Sequence, residues 1–393
     1  MDTIMLEGSI LEHQEELEID YSQNGKQIYP MDGIKVDKGF YSVFELRRRY
    51  QSPNKRIVLD SDFQRDNVWS LKRKAELVES VLMGLPLPVF YFNQDKYGRL
   101  IVVDGRQRLS ALFEYMDDEY ALQNLNVMPQ LNEKRFSELS PVMVGRLEDY
   151  QIQAHVILPP TPDRVKFDIF DRVNRGGVQL NKQEIRNALY QGKATELLKR
   201  LALCGEFFSA TGGAFKDEKR MKDEKRMKDK YILTRFLTFY LFKAGLIQND
   251  QKERYEYKGD MDDFLGKGMD ALNNMEDGML QKLEDRTKLI LDRCWYYLGE
   301  NAFRIHREGR KSPINMNVFE AVMFVMNFVP DLQENLKSMI QRRVFAFIDS
   351  DVFQDNIAGR RDSEMKLMWR MEQSEALGRE IKKYVGRHTG QEL

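Results

Sequence analysis

Cysteine and histidine are scarce in this sequence, and their scarcity excludes several kinds of site. Among 393 residues there are two cysteines, Cys204 and Cys294, and four histidines. The cysteines lie far apart without a CxxC partner, and no two histidines have the spacing of metal ligands. This pattern argues against a disulfide scaffold, a zinc site and a nuclease site built on clustered histidines. We expect a protein of a reducing compartment, with the cytoplasm as the default.

The sequence also lacks an excess of charge of either sign and any long apolar run. Its 61 lysines and arginines are balanced by 62 aspartates and glutamates, which excludes a globally basic, DNA-coating surface but not a local basic groove. No apolar stretch approaches the roughly 20 residues of a membrane span, and the acidic N-terminus does not resemble a signal peptide. The P-loop, nucleophile-elbow and HExxH motifs do not occur either.

What the sequence contains is enough apolar residues for a core, arranged in two patterns. Hydrophobic residues make up 42% of the chain, as in an ordinary globular protein. Short apolar strands alternate with amphipathic helices up to about residue 190, and helical patterns with few β-branched runs follow. We predict an α+β protein with an N-terminal arm (1–40), a mixed α/β domain (41–192) and an α-helical domain (193–393).

Capping residues and turns predict where the elements begin and end. In the mixed domain the predicted elements are a helix over 72–83 capped by Ser70, a hairpin of strands over 89–92 and 100–103, a helix over 106–116, a strand over 150–158, a helix capped by Thr161 with Pro162 at its first position, and a helix opened by a capping box of Asn181 and Glu184. In the helical domain the predicted helices span 194–203, 223–244, 260–273, 281–297, 317–327, 331–348 and 363–384.

An apolar strand followed by Asp-Gly-Arg-Gln-Arg (104–108) has the composition of a phosphate-binding site. A helix N-terminus attracts anions through its N–H groups and dipole, and arginine offers fork-shaped donors that match phosphate oxygens. In this interpretation Gly105 lets a phosphate approach the backbone, and Arg108 supplies the main charge. Gln107 donates to the ligand or positions a water, and Asp104 holds a metal, an arginine or a ribose hydroxyl. The alternative is a surface helix that these charged residues only cap.

Two further segments favour the same kind of site. Gln64 and Arg65, shortly before Trp69, suggest a second phosphate or base contact with Trp69 buried as an anchor; the alternative is a structural turn. Asn174, followed by Arg175 and two glycines, suggests a contact with a metal or nucleotide and a close backbone approach; the alternative is a helix C-terminus.

Together these segments resemble the GmrSD-type N-terminal domain, a family with a DGQQR motif and a ParB/sulfiredoxin-like fold. The family combines a QR…W turn and a helix ending in G-x-P-x-P with a strand–DGQQR–helix unit, followed by F-x-x-x-N-x-G-G-x-x-L. The matching residues, in the same order from residue 64 to residue 180, are Gln64-Arg65…Trp69, Gly84-Leu85-Pro86-Leu87-Pro88, Asp104–Arg108 and Phe170…Asn174-Arg175-Gly176-Gly177…Leu180.

The resemblance implies a ParB-like core that binds a nucleoside triphosphate (ATP, GTP or CTP) with Mg²⁺, in prokaryotic defence against phage or modified DNA. Catalytic roles are implied for Asp104, Gln107 and Arg108, and Asp104 or Asn174 would hold the metal. The implied nucleotide-binding residues are Gln64, Arg65, Asp104, Gly105, Arg106, Gln107, Arg108, Asn174 and Arg175.

The chain departs from the family pattern in two ways. Arg106 stands where the motif has its first glutamine, which adds positive charge and leaves NTP hydrolysis an open question. No histidine cluster suited to an HNH nuclease domain is present, so the resemblance implies a stand-alone form, and any DNA cleavage would come from a partner or from an unrecognised site.

Three hypotheses follow for the function. The first is a nucleotide-binding, NTP-hydrolysing sensor or regulatory subunit of a phage-defence or restriction system, with a partner nuclease or another defence subunit, and with homo-oligomerisation left open. The second is a DNA-binding or DNA-nicking ParB-like protein whose arginines hold DNA phosphates. The third is a non-catalytic interaction module.

Overall fold

The computed structural model describes residues 11–12, 33–59, 69–174, 181–215, 227–249, 251–306, 312–330, 332–358 and 363–389. The chain divides into two compact units, one of residues 20–189 and one of residues 1–19 with 190–393. In the second unit a two-residue strand, β1 (Leu11–Glu12), pairs in parallel with Ile314–Asn315.

The unit of residues 20–189 is built on a five-stranded mixed sheet, which confirms the predicted mixed α/β class. Its strand order is β2-β6-β4-β5-β3. The hairpin β4–β5 is antiparallel, as predicted, and β2 pairs antiparallel with β6, whereas β3–β5 and β4–β6 are parallel pairs. The strands are β2 (Val36–Ser42), β3 (Ile57–Val58), β4 (Phe90–Gln94), β5 (Leu100–Asp104) and β6 (Gln151–Ile157).

Helices cover both faces of this sheet. One face forms the main core of the unit with the first four helices, because apolar residues at helical spacing meet alternating strand residues such as Phe90 and Phe92. The other two helices pack against β5. The helices are α1 (Val43–Gln51), α2 (Leu71–Leu82), α3 (Arg106–Met116), α4 (Pro141–Glu148), α5 (Asp163–Asn174) and α6 (Lys182–Leu189).

The predicted helix starts of this unit are confirmed in most cases. Ser70 caps α2, with its side chain accepting a hydrogen bond from the Arg73 N–H. Asn181 and Glu184 form the predicted capping box at the start of α6. The prediction for Thr161 is wrong, because α5 begins only at Asp163 and the Thr161 hydroxyl instead accepts a hydrogen bond from the Lys35 N–H.

The second unit is helical, as predicted, around one large apolar core. The helix predicted over 223–244 is described from Lys228, because residues 216–226 lie outside the described residues, and two short helices, α8 and α14, were not predicted. No helix in the described residues is long and apolar enough to cross a bilayer. The elements are α7 (Lys193–Leu203), α8 (Gly205–Ala210), α9 (Lys228–Lys243), α10 (Met261–Asn274), α11 (Asp277–Leu298), β7 (Ile314–Asn315), α12 (Met316–Phe328), α13 (Lys337–Ile348), α14 (Asp351–Ile357) and α15 (Glu364–Thr389).

Candidate functional site

The candidate site lies where strand β5 ends and helix α3 begins. β5 ends at Asp104, and α3 starts at Arg106 directly after Gly105. Gly105 has a φ of 97°, in the left-handed region that side chains disfavour, and a Cβ there would overlap the Phe90 ring. Only glycine therefore lets the helix start this close to β4. Because glycine has no side chain, the N-cap residue offers no acceptor to the N–H groups of the first turn.

Arg108 is buried beside this turn and makes intramolecular contacts with its guanidinium group. The group donates to Asp104 Oδ2 at 2.8 Å and to the carbonyl of Pro88, and it lies 4.0 Å from the centre of the Phe90 ring. Burial lowers the pKa of Arg108, while the charge of Asp104 opposes this shift. In this structure Asp104 and a backbone carbonyl use donors of Arg108, and its predicted role as the main charge at a phosphate stays a prediction.

Arg106 and Gln107 occupy the first turn of α3 and are half-buried. The Gln107 Oε1 atom accepts a hydrogen bond of 3.1 Å from the Trp69 backbone N–H. Trp69 is half-buried against the core, and the Arg73 guanidinium lies 4.3 Å from the centre of its ring. This hydrogen bond holds the first turn of α3 to Trp69, which lies two residues before the start of α2.

Three side chains that were not predicted as site residues lie in register with Asp104. Tyr91 of β4 pairs with both Asp104 of β5 and His155 of β6, and His155 pairs with Lys38 of β2. The ring centres of Tyr91 and His155 are 5.3 Å apart. We call Tyr91, His155 and Lys38 the Tyr91 row. The alternation around Tyr91, between two buried phenylalanines, was the only sequence signal for it, since the pairing of distant strands creates the row.

A comparison with protein-family models matches residues 45–191 to the N-terminal domain of the GmrSD restriction endonuclease. Residues 45–191 are thus similar to a GmrSD N-terminal domain. Comparisons with curated proteins and with solved structures gave no match.

The segment of residues 45–191 brings together only some of the predicted site residues. Asp104–Arg108 form one continuous turn and helix start, with Trp69 beside it. Gln64, Arg65 and Arg175 lie outside the described residues. Asn174 is the last residue of α5, but its side chain is also outside the described part. The roles predicted for these four residues therefore stay predictions.

At the turn of residues 104–108, Asp104 is the side chain that would hold a Mg²⁺ ion. In the described part of the chain, no three aspartate, glutamate, histidine or cysteine side chains cluster as a metal site. The side chain of Asp104 is 38% exposed, and its Oδ2 atom accepts the hydrogen bond from Arg108. One such carboxylate fits Mg²⁺ that arrives with a nucleotide, because Mg²⁺ commonly binds through one or two carboxylates, phosphate oxygens and waters.

Proposed function

We propose that the segment of residues 45–191, which is similar to a GmrSD N-terminal domain, binds a nucleoside triphosphate and acts as the sensor or regulatory part of the protein. The family match supports a restriction-type defence context. The observation that carries nucleotide binding is Gly105, which packs on Phe90 and starts α3 at the end of an internal strand. The partial positive charge of a helix N-terminus next to a sheet end is a recurrent phosphate-binding arrangement.

In this proposal the phosphates lie at the first turn of α3. Backbone N–H groups donate to phosphate oxygens, and the guanidinium of Arg106 in the same turn adds a charge-assisted contact. Asp104 would hold a Mg²⁺ ion, which would supply positive charge that offsets the charge of the phosphates. Arg108 is a positioning residue that holds the Asp104 carboxylate, and Gln107 lines the turn where Trp69 fixes it.

The same residues favour binding over rapid hydrolysis. Arg106 replaces the glutamine of the family motif, so a neutral side chain that can orient water gives way to a fixed positive charge. We therefore expect tight binding of the triphosphate and slow release of phosphate.

Calorimetric titration with ATP, GTP and CTP, each with Mg²⁺, tests the proposal. At least one nucleotide should bind, and Arg106→Ala should weaken binding tenfold or more, because a hydrogen bond to a charged group contributes about 1.5–3 kcal/mol. Arg48→Ala is the matched control, since Arg48 is an exposed arginine on α1 of the same unit. Arg108→Ala should lower the free energy of unfolding by about 2 kcal/mol, because it removes the buried partner of Asp104.

The outcomes separate the competing functions. Absence of binding by all three nucleotides would contradict the proposal. Binding of duplex DNA that falls steeply with salt, depends on Arg106 and is unaffected by nucleotides would instead support the DNA-phosphate hypothesis.

A further inference from the structure

The Tyr91 row carries polar groups that the described part of the protein does not use. Within the described residues, the Tyr91 hydroxyl, the ring nitrogens of His155 and the ammonium of Lys38 make no hydrogen bond or ion pair, and the rings of Tyr91 and His155 lie against each other. Tyr91 and His155 are half-buried and Lys38 is exposed. A ligand could therefore reach these groups without displacing protein partners.

The row extends directly from the proposed phosphate site. Tyr91 is one strand away from Asp104, and His155 is two strands away. At a strand spacing of about 4.8 Å, the backbone at His155 lies roughly 10 Å from that at Asp104. This separation suits one nucleotide with its phosphates at the start of α3 and its base at the Tyr91–His155 pair.

Helices cover the sheet face that carries the Tyr91 row at strand β5 and leave it exposed at strands β6 and β2. Helices α5 and α6 pack against β5, where Ile101 is 1% and Val103 is 6% exposed. On the outer strands, Gln153 is exposed and Phe40 is 65% exposed, and these two residues are paired in register beside the Tyr91 row. The face is thus accessible at β6 and β2, next to Tyr91.

We propose that Tyr91 and His155 bind the base of the nucleotide by stacking, and that Lys38 donates to a polar edge of the base. The inference rests on the proposed function, because it takes its phosphates from the α3 site. Aromatic side chains stack on any base through its flat face. A mononucleotide is favoured over a nucleic-acid strand, because the row has one lysine with Asp37 beside it, whereas a strand requires a positively charged groove along its backbone.

Titrations of the full chain with Mg²⁺-bound nucleotides and with inorganic tripolyphosphate test this assignment. Tyr91→Ala should weaken nucleotide binding about tenfold or more, as expected for the loss of one base-stacking contact, while tripolyphosphate binding stays unchanged. Arg106→Ala should weaken both ligands. Tyr91→Phe should retain nucleotide affinity because it keeps the ring. Tyr97→Ala is the matched control, since Tyr97 is a 68% exposed tyrosine in the turn of the same hairpin.

His155→Ala and Lys38→Ala provide a second route if Tyr91→Ala does not fold, and each should weaken the nucleotide but not tripolyphosphate. Equal nucleotide affinity in the folded variants of all three residues would overturn the base site and leave the phosphate site standing. Failure of the unmodified protein to bind any nucleotide would overturn both proposals. Tighter binding of a single-stranded oligonucleotide than of nucleotides, lost in Tyr91→Ala, would assign the row to nucleic acid instead.

Discussion

Gly105 shows how one residue sets the positions of two elements. Its left-handed backbone turns the chain from β5 into α3, and the missing side chain lets the Phe90 ring lie against the turn. An L-residue pays about 1–2 kcal/mol for the left-handed conformation even where space is available. Here space is not available either, so conformation and packing both require glycine at this position.

We expect Gly105→Ala to lower the free energy of unfolding by at least about 2 kcal/mol, because the methyl group meets the Phe90 ring in an already strained conformation. Urea denaturation followed by circular dichroism measures the change. Gly145→Ala is the control, since a Cβ at this helical position in α4 contacts nothing within 4 Å, and it should raise stability by up to about 1 kcal/mol. Equal effects of the two substitutions would contradict the proposed role of Gly105.

The two arginines of the motif show what could be predicted at the residue scale. Residue types at 104–108 predicted a turn followed by a helix, and both are present. Arg106 and Arg108 are two residues apart on α3, however, and two helical positions differ by about 200° around the axis. They cannot both face one phosphate group. Which arginine turns inward depends on the carbonyl of Pro88 and the Phe90 ring, whose positions only the folded sheet defines.

At the scale of elements, the sequence predicted the helices and turns whose stabilising contacts lie between residues close together in the chain. Helix α3 spans the predicted residues 106–116, and the β4–β5 hairpin forms where its turn predicted it. Strand β2, in contrast, lies partly within the predicted N-terminal arm and pairs with β6, more than a hundred residues further along the chain. Its exposed edge position leaves it without a clear apolar alternation. Thr161 was misassigned for the same reason, because its partner Lys35 is 126 residues away.

Glu79 makes another contact between elements that are distant in the sequence, which the sequence alone did not reveal. This glutamate lies on α2 and is only 6% exposed. Its Oε1 atom accepts hydrogen bonds from the backbone N–H groups of Val127 at 3.0 Å and Met128 at 2.7 Å. The carboxylate therefore satisfies two donors of an irregular segment and holds that segment against α2.

Removing this carboxylate should loosen the connection between the segment and α2. We expect Glu79→Ala to cost about 2–3 kcal/mol of unfolding free energy, because partly buried N–H groups lose their acceptor. Glu79→Gln should cost about 1 kcal/mol or less, since the amide oxygen can accept the same bonds. Glu76→Ala, on the exposed side of the same helix, should change stability by less than about 0.5 kcal/mol. Urea denaturation of the three variants gives the comparison, and equal losses for Glu76 and Glu79 would refute the assignment.

At the scale of the whole molecule, the two units differ in what stabilises them. Both units have an apolar core, and the core of the helical unit also surrounds a group of buried charges. Arg235 of α9 and Arg370 of α15 both approach Glu320 of α12, and all three side chains are almost fully buried. Such a network requires its helices to pack together, because each charge depends on the others for compensation.

The reactivity of the two cysteine thiols in the helical unit depends on how this core is packed. Burial is the main cause that raises the pKa of the Cys204 thiol from 9.0 to about 11, and burial also raises the pKa of Cys294, which is 0% exposed. Since the thiolate is the reactive form, a rise of two units lowers the reactive fraction at pH 8 about a hundredfold. Cys204 is partly accessible as the N-cap residue of α8, whereas Cys294 lies inside the core of the unit.

Alkylation with iodoacetamide, followed by mass spectrometry, should therefore be slow in the native protein at pH 8. The rate at Cys204 should keep rising between pH 9 and pH 11, because its thiolate forms only as the pH approaches the raised pKa. Cys294 should react only after the helical core opens, with a rate that depends on guanidinium concentration. Cys204→Ser and Cys294→Ser separate the two signals, and the denatured protein gives the unprotected rate. Rapid native labelling of Cys294 would mean that the helical core is open to solvent.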